Sequence, residues 1–207
     1  MERTKGIRME PVIQNHMAPR PPCRKWTRQD YYRAAEAGIF KPEERLELIN
    51  GEVITKLSPQ SSQHAYGIQT LMNLFNGIIT EKDHIRIQLP MAINEENEPE
   101  PDIAVVAGSA RDYVREHPST ALLVAEVSDS TIASDRKVKG GLYASAGIPE
   151  YWILNLNDRL LEIYGNPVAD PNEPFGHRYE TVRMLTENDT LTWRSSLPVP
   201  VKELLPD

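Results

Sequence analysis

Two carboxylates interrupt the most apolar stretches of this sequence. Asp102 opens the run Asp102-Ile-Ala-Val-Val-Ala107, and Glu126 stands near the end of Ala121-Leu-Leu-Val-Ala-Glu-Val127. Runs of that composition suit strands in the middle of a sheet covered on both faces, where an unpaired acid costs several kcal/mol. If the two runs pair antiparallel, positions 102 and 126 lie symmetrically about residue 114 and meet at one edge of the sheet. Alternation puts Asp102 with Ala104 and Val106, and Glu126 with Leu122 and Val124, so the acids can share a face. Like charges that close repel unless a proton or a divalent cation lies between them. Hard oxygen ligands with room for water suit magnesium or manganese rather than zinc. Arginine or lysine from elsewhere in the fold would meet the same need.

The elements that must position these acids follow from pattern. Thr27 is a good N-cap with Asp30 three residues on, and Trp26 can staple onto Tyr31, which predicts a helix to about Ala37 stopped by Gly38. The segment Arg45 to Leu57 alternates around Asn50-Gly51, the pair that favours a tight hairpin. After the Ser58-Pro59 breaker, Ala65, Ile68, Met72, Phe75 and Ile79 recur at helical spacing, which predicts a second helix over 62–80. Ile85, Ile87 and Leu89 alternate as a strand. Val138, Leu142 and Ala146 predict a third helix from Asp135 to Ala146, ended by Gly147, although Gly140-Gly141 weakens it. Strands are predicted at 151–156, 160–164, 179–185 and 190–193, giving an α/β fold in which helices flank a mixed sheet. Residues 1–25, with Pro11, Pro19, Pro21 and Pro22, carry no apolar period and are expected to form a flexible arm before a single domain at 26–207.

Of the 207 residues, 40% are hydrophobic and 26% charged, as in an ordinary globular protein that needs no disulfide framework. Cys23 is the single cysteine of the sequence, so no internal disulfide can form. The first residues lack the apolar centre of a signal peptide, and nothing approaches the ~18 apolar residues of a membrane span, so a cytoplasmic location is expected. With 23 Lys+Arg against 30 Asp+Glu, the net charge of −7 argues against a protein that coats nucleic acid by bulk electrostatics. A nucleic-acid contact would need a metal or a local patch, for which Arg111, Arg115, Arg136 and Lys137 are candidates.

The stretches ELINGEV (47–53), SPQSSQHA (58–65), EPDIAVV (100–106), LLVAEVSDST (122–131) and DRKVKGGLYASAGIPEYWIL (135–154) together resemble the Uma-two family of the PD-(D/E)XK nuclease superfamily. The last stretch, ending in Tyr-Ala-x-Ala-Gly-x-Pro-Glu-Tyr-Trp, is the most specific. The resemblance implies a restriction-endonuclease-like core in which Asp102 and Glu126 bind a divalent cation, Mg2+ or Mn2+. The superfamily's lysine should stand two residues after the second acid, where this chain has Ser128. Lys139 on the following helix is the matching substitute, with Lys137 its competitor, and its ammonium could orient or deprotonate the attacking water. Glu47 corresponds to an additional acid that could complete the cation's coordination. His64 matches a family histidine that could bind phosphate or orient water. Gln88 could add a polar contact, while Tyr143, Tyr151 and Trp152 are expected to pack the core.

These residues together predict a metal-dependent endonuclease that hydrolyses phosphodiester bonds in DNA, with a homodimer as a means of cutting both strands. Ser128 at the lysine position and the negative charge support an alternative, a non-catalytic nucleic-acid-binding or accessory protein that keeps the fold. A metal-dependent protein acting on another substrate is a third, since fold does not fix function. No zinc-finger spacing, phosphate-cradling glycine loop or reading helix assigns specificity.

Overall fold

The antiparallel pairing inferred for the two apolar runs is the pairing observed. In the computed structural model, which describes residues 23–56, 60–194 and 197–207, β4 (Ile103–Ala107) pairs with β5 (Leu123–Ser128). Ile103 faces Ala125, Ala104 faces Val124 and Val105 faces Leu123, all symmetric about residue 114. Residues 1–22 of the expected arm and the Ser58-Pro59 breaker lie outside the described residues.

Before these strands come α1 (Arg28–Glu36), β1 (Leu46–Ile49), β2 (Glu52–Thr55), α2 (Ser62–Asn76) and β3 (Asp83–Ile87). After them come α3 (Ile132–Ser134), a π-helical turn (Asp135–Lys139), α4 (Gly140–Ser145), β6 (Glu150–Asn155), β7 (Leu160–Ala169), β8 (His177–Thr186), β9 (Thr190–Leu191) and β10 (Val199–Pro200). Six strands form one sheet in the order β3-β4-β5-β6-β7-β8. Only the β5–β6 pair is parallel, which makes the sheet mixed. The connection between those two strands is the helical segment 132–145.

Alternation on β4 and β5 sends odd-numbered residues to one layer and even-numbered ones to the other. Ile103, Val105, Leu123, Ala125 and Val127 pack with Ile68, Leu71 and Phe75 of α2. Ala104, Val106 and Val124 pack with Tyr143, Ala144 and Ile148. Trp152 and Tyr151 fill opposite layers and are fully buried, as expected of the signature aromatics. The capping box at Thr27 and Asp30 is present, and Phe40 packs against both Trp26 (6.3 Å) and Tyr31 (5.4 Å). Asn50 and Gly51 take φ of 52° and 70°, which closes the hairpin of β1 and β2.

Two helix boundaries differ from the sequence expectation by three residues or more. Helix α2 ends at Asn76, and Ile79 packs against the core from beyond it. The third helix begins earlier, at Ile132, and carries a π turn in which the Gly140 N–H donates to the Asp135 carbonyl. That carbonyl also accepts the Tyr151 hydroxyl at 3.1 Å, a second donor drawn to the widened turn. The Gly140-Gly141 pair lies inside this helical run because of a close contact: a Cβ on Gly141 would stand 2.6 Å from the Pro174 carbonyl oxygen. Among the described residues no helix is long and apolar enough to cross a membrane.

Gly141→Ala is expected to destabilise the protein by about 1–3 kcal/mol through overpacking against backbone. Thermal unfolding checks this, each kcal/mol lowering Tm by roughly 2–4 °C at this chain length.

Candidate active site

Because β4 and β5 are antiparallel in that register, Asp102 and Glu126 meet where the ladder ends. The Asp102 backbone N–H donates to Glu126 Oε2 at 3.3 Å, and the Val127 N–H donates to Asp102 Oδ2 at 2.9 Å. Both acids are about 3% exposed. Each main chain thus holds the other strand's carboxylate.

Neighbouring elements bring four further groups. Ser61 caps α2 by accepting the His64 N–H at 3.1 Å. The His64 ring reaches over the sheet edge so that Nε2 lies 3.0 Å from Asp102 Oδ2. A carboxylate only accepts, so that nitrogen carries the proton. Gln88 Nε2 donates to Asp102 Oδ1 at 3.1 Å. Lys139, the last residue of the π turn, donates to Glu126 Oε1 at 2.9 Å, and Tyr143, four residues later on the same helical face, donates to that oxygen at 2.7 Å.

Glu47 on β1 is buried against cations. Its Oε1 lies 3.1 Å from Lys56 Nζ and 3.6 Å from Lys139 Nζ, and accepts the Glu100 N–H at 3.1 Å. Lys139 therefore bridges Glu126 and Glu47. The three acids, His64, Lys56, Lys139, Arg45, Asp129 and Asp135 line one cavity of about 250 Å³.

The electrostatics follow from this packing. Burial raises the Glu126 carboxyl from its ordinary value to about 7, Lys139 opposing and Asp102 and Asp135 reinforcing the shift. Burial also disfavours the Lys139 charge, but Glu126 and Glu47 outweigh it and hold the ammonium well above its ordinary value. Burial opposes ionisation of Glu47 as well, yet Lys139 and Lys56 win and keep it below the usual carboxylate range. Asp135 is raised by burial although Lys139 and Thr131 pull against it.

Asp102, Glu126, Glu47, His64 and Lys139, all singled out from sequence, are thus brought to one cavity. Lys139 rather than Lys137 is the lysine that meets the acids, and Ser128 instead lies 3.4 Å from the Thr131 hydroxyl. The expected basic helpers do not gather there. Arg136 is committed to the buried Glu162 through two hydrogen bonds of 3.0 and 2.6 Å, and Arg115 lines a separate cavity beside Tyr32 and His117. Neither Arg111 nor Lys137 lines the site cavity, whose basic residues include Arg45 and Lys56. Pattern reading overlooked Lys56, just past the end of β2, and gave Tyr143 packing alone. Its spacing of four from Lys139 was the available signal.

The donor set fits a hard divalent cation. Among the described residues no three His, Cys, Asp or Glu side chains form a metal cluster, but magnesium is commonly held by one or two carboxylates with water and substrate phosphate completing the shell. Asp102 and Glu126 supply such a pair, and among the described residues no hydrogen bond reaches Glu47 Oε2.

Residues 28–202 match the Uma2 family, described as "Putative restriction endonuclease". The fold is similar to the crystal structure of a putative nuclease belonging to DUF820 from Anabaena variabilis, with a TM-score of 0.59 and 14% sequence identity over 82% of this chain and 94% of that chain. At that identity the similarity is one of fold. No curated protein matches the chain.

The Glu126 shift predicts a pH dependence. Its carboxyl takes up a proton near its ordinary 4.5 when unfolded and near 7 when folded, so the folded state binds more protons in between. Its stabilising contribution is fully present below about pH 4.5 and is lost as pH rises through about 7. In metal-free buffer, thermal unfolding should show the parent losing Tm relative to Glu126→Gln between about pH 5 and about pH 8. A difference independent of pH would contradict the assignment.

Proposed function

The chain belongs to the Uma2 restriction-endonuclease family, and on that premise we propose that it is a divalent-metal-dependent endonuclease hydrolysing phosphodiester bonds in DNA. The observation that carries the proposal is the meeting of Asp102 and Glu126 at the end of the β4–β5 ladder, with the Lys139 ammonium 2.9 Å from Glu126. Asp102 and Glu126 would hold magnesium or manganese, with Glu47 Oε2 available to complete the shell. The chemistry such a cation would supply when held by these residues is polarisation of a phosphoryl oxygen and a lowered pKa of bound water.

The remaining steps belong to the protein's own side chains. Lys139, kept charged by the surrounding acids, offsets negative charge on the phosphate and orients the attacking water. His64 Nε2–H holds Asp102 Oδ2, and would become a donor to a phosphate oxygen only by exchanging that acid for the substrate. Gln88, Tyr143 and the Val127 N–H hold the acids in place by hydrogen bonds that add no competing charge. Arg45 and Lys56, lining the cavity, admit a polyanion to a chain whose net charge is −7. Cutting a duplex on both strands calls for two such sites. The outer side of β8 is an edge of the sheet along which a second copy could pair.

One observation favours a different reading. Lys139, Lys56 and His64 already engage the three acids within the chain, as in a nuclease fold that binds nucleic acid without cutting it.

Supercoiled plasmid incubated with magnesium or manganese separates the two. The endonuclease reading expects nicking or linearisation that Asp102→Ala lowers by about 100-fold or more, beyond the 10- to 100-fold typical of losing a group behind a metal ligand. Circular dichroism must show the variant folded. Plasmid that is bound and never cut with any divalent ion supports the accessory reading. Plasmid neither bound nor cut removes both.

A further inference from the structure

Gln88 lies one residue beyond β3 with φ of 50°. This left-handed conformation costs a residue with a Cβ and costs glycine nothing. The turn itself does not require glutamine. The backbone bond that fixes it, from the Gln88 N–H to the Asp102 carbonyl at 3.1 Å, is one any residue except proline could make. What only a long amide supplies is the second bond, from Gln88 Nε2 to Asp102 Oδ1, also 3.1 Å. One residue therefore grips Asp102 at its main chain and at the carboxylate.

The partner oxygen shows why this grip matters. Asp102 Oδ2 is held by the Val127 N–H and by His64. Among the described residues Gln88 makes the only hydrogen bond to Oδ1. A neutral amide fixes the rotation of the carboxylate without adding a charge that would compete with a cation. Lysine or arginine in its place would neutralise the acid and weaken that function.

We propose that Gln88 is a positioning residue: its strained backbone is kept because its side-chain amide sets Asp102 Oδ1 in the orientation that a divalent cation needs. Strain of this kind persists where it serves a site. The inference rests on the metal-dependent reading of the same site.

Gln88→Gly tests it, because glycine relieves the backbone while deleting the amide. The Mn2+ affinity of the full chain, read from the electron paramagnetic resonance of free Mn2+, should fall 10- to 100-fold, the range expected when a group behind a ligand is lost. Plasmid cleavage should lose kcat with KM nearly unchanged, while Tm holds or rises by about 2–4 °C. Gln88→Asn, which tolerates the left-handed backbone but is one methylene shorter, should lose Mn2+ affinity like the glycine variant. A structural role predicts the reverse, with Tm falling and Mn2+ affinity intact, and that result overturns the proposal. Asp102→Ala in the same titration separates the two levels. If Mn2+ binding depends on Asp102 and not on Gln88, only the role of Gln88 fails; if it does not depend on Asp102, the metal site fails with it.

Discussion

A carboxylate taken out of water must be compensated by charge or hydrogen bonds at fixed positions, and Glu126 is where that requirement falls hardest. It sits in the middle of the sheet, nearly free of solvent, one strand from Asp102. Three groups meet the demand: the Asp102 N–H, the Tyr143 hydroxyl and the Lys139 ammonium. Each comes from an element whose placement has its own cause. The β4–β5 register supplies the first, and the helical segment joining the two parallel strands supplies the others.

Burial still outweighs the Lys139 charge and pushes the Glu126 carboxyl up to about 7. Near neutral pH that group stands between its protonated and its charged form. Lys139 contributes one positive charge shared between Glu126 and Glu47, and His64 adds a donor to Asp102. On the metal-dependent reading proposed above, a divalent ion would add positive charge beside these buried acids. The π turn matters for the same reason, because it ends on Lys139 and is pinned by the Tyr151 hydroxyl on its Asp135 carbonyl. Widened helical turns of this type recur at functional sites.

Much of this was legible in the sequence because strand alternation and antiparallel symmetry are strict rules. The register that brings Asp102 and Glu126 to the same end of the β4–β5 ladder followed from antiparallel symmetry, and the hairpin that carries Glu47 followed from Asn50-Gly51. The choice of Lys139 over Lys137 rested on resemblance, because the π turn that sets the rotation of this residue about the helix has no simple periodic signature. Lys56 was missed because a lysine at the end of an exposed hairpin strand usually faces water, and only the fold shows Glu47 beneath it. The basic helpers were misplaced because charge was read without partners: Glu162, buried on β7, takes Arg136 for structural ends. The Gly141 contact with Pro174 joins segments far apart in sequence, so no local pattern could reveal why a helix tolerates that pair of glycines.

The most direct test of the acid pair is a crystal soaked in manganese and measured at an anomalous wavelength. The account predicts one strong peak bonded to carboxylate oxygens of both Asp102 and Glu126 at about 2.1 Å, the distance of a small hard cation. A map in which Lys139 and His64 keep their contacts to the acids and no anomalous peak lies between Asp102 and Glu126 would contradict it.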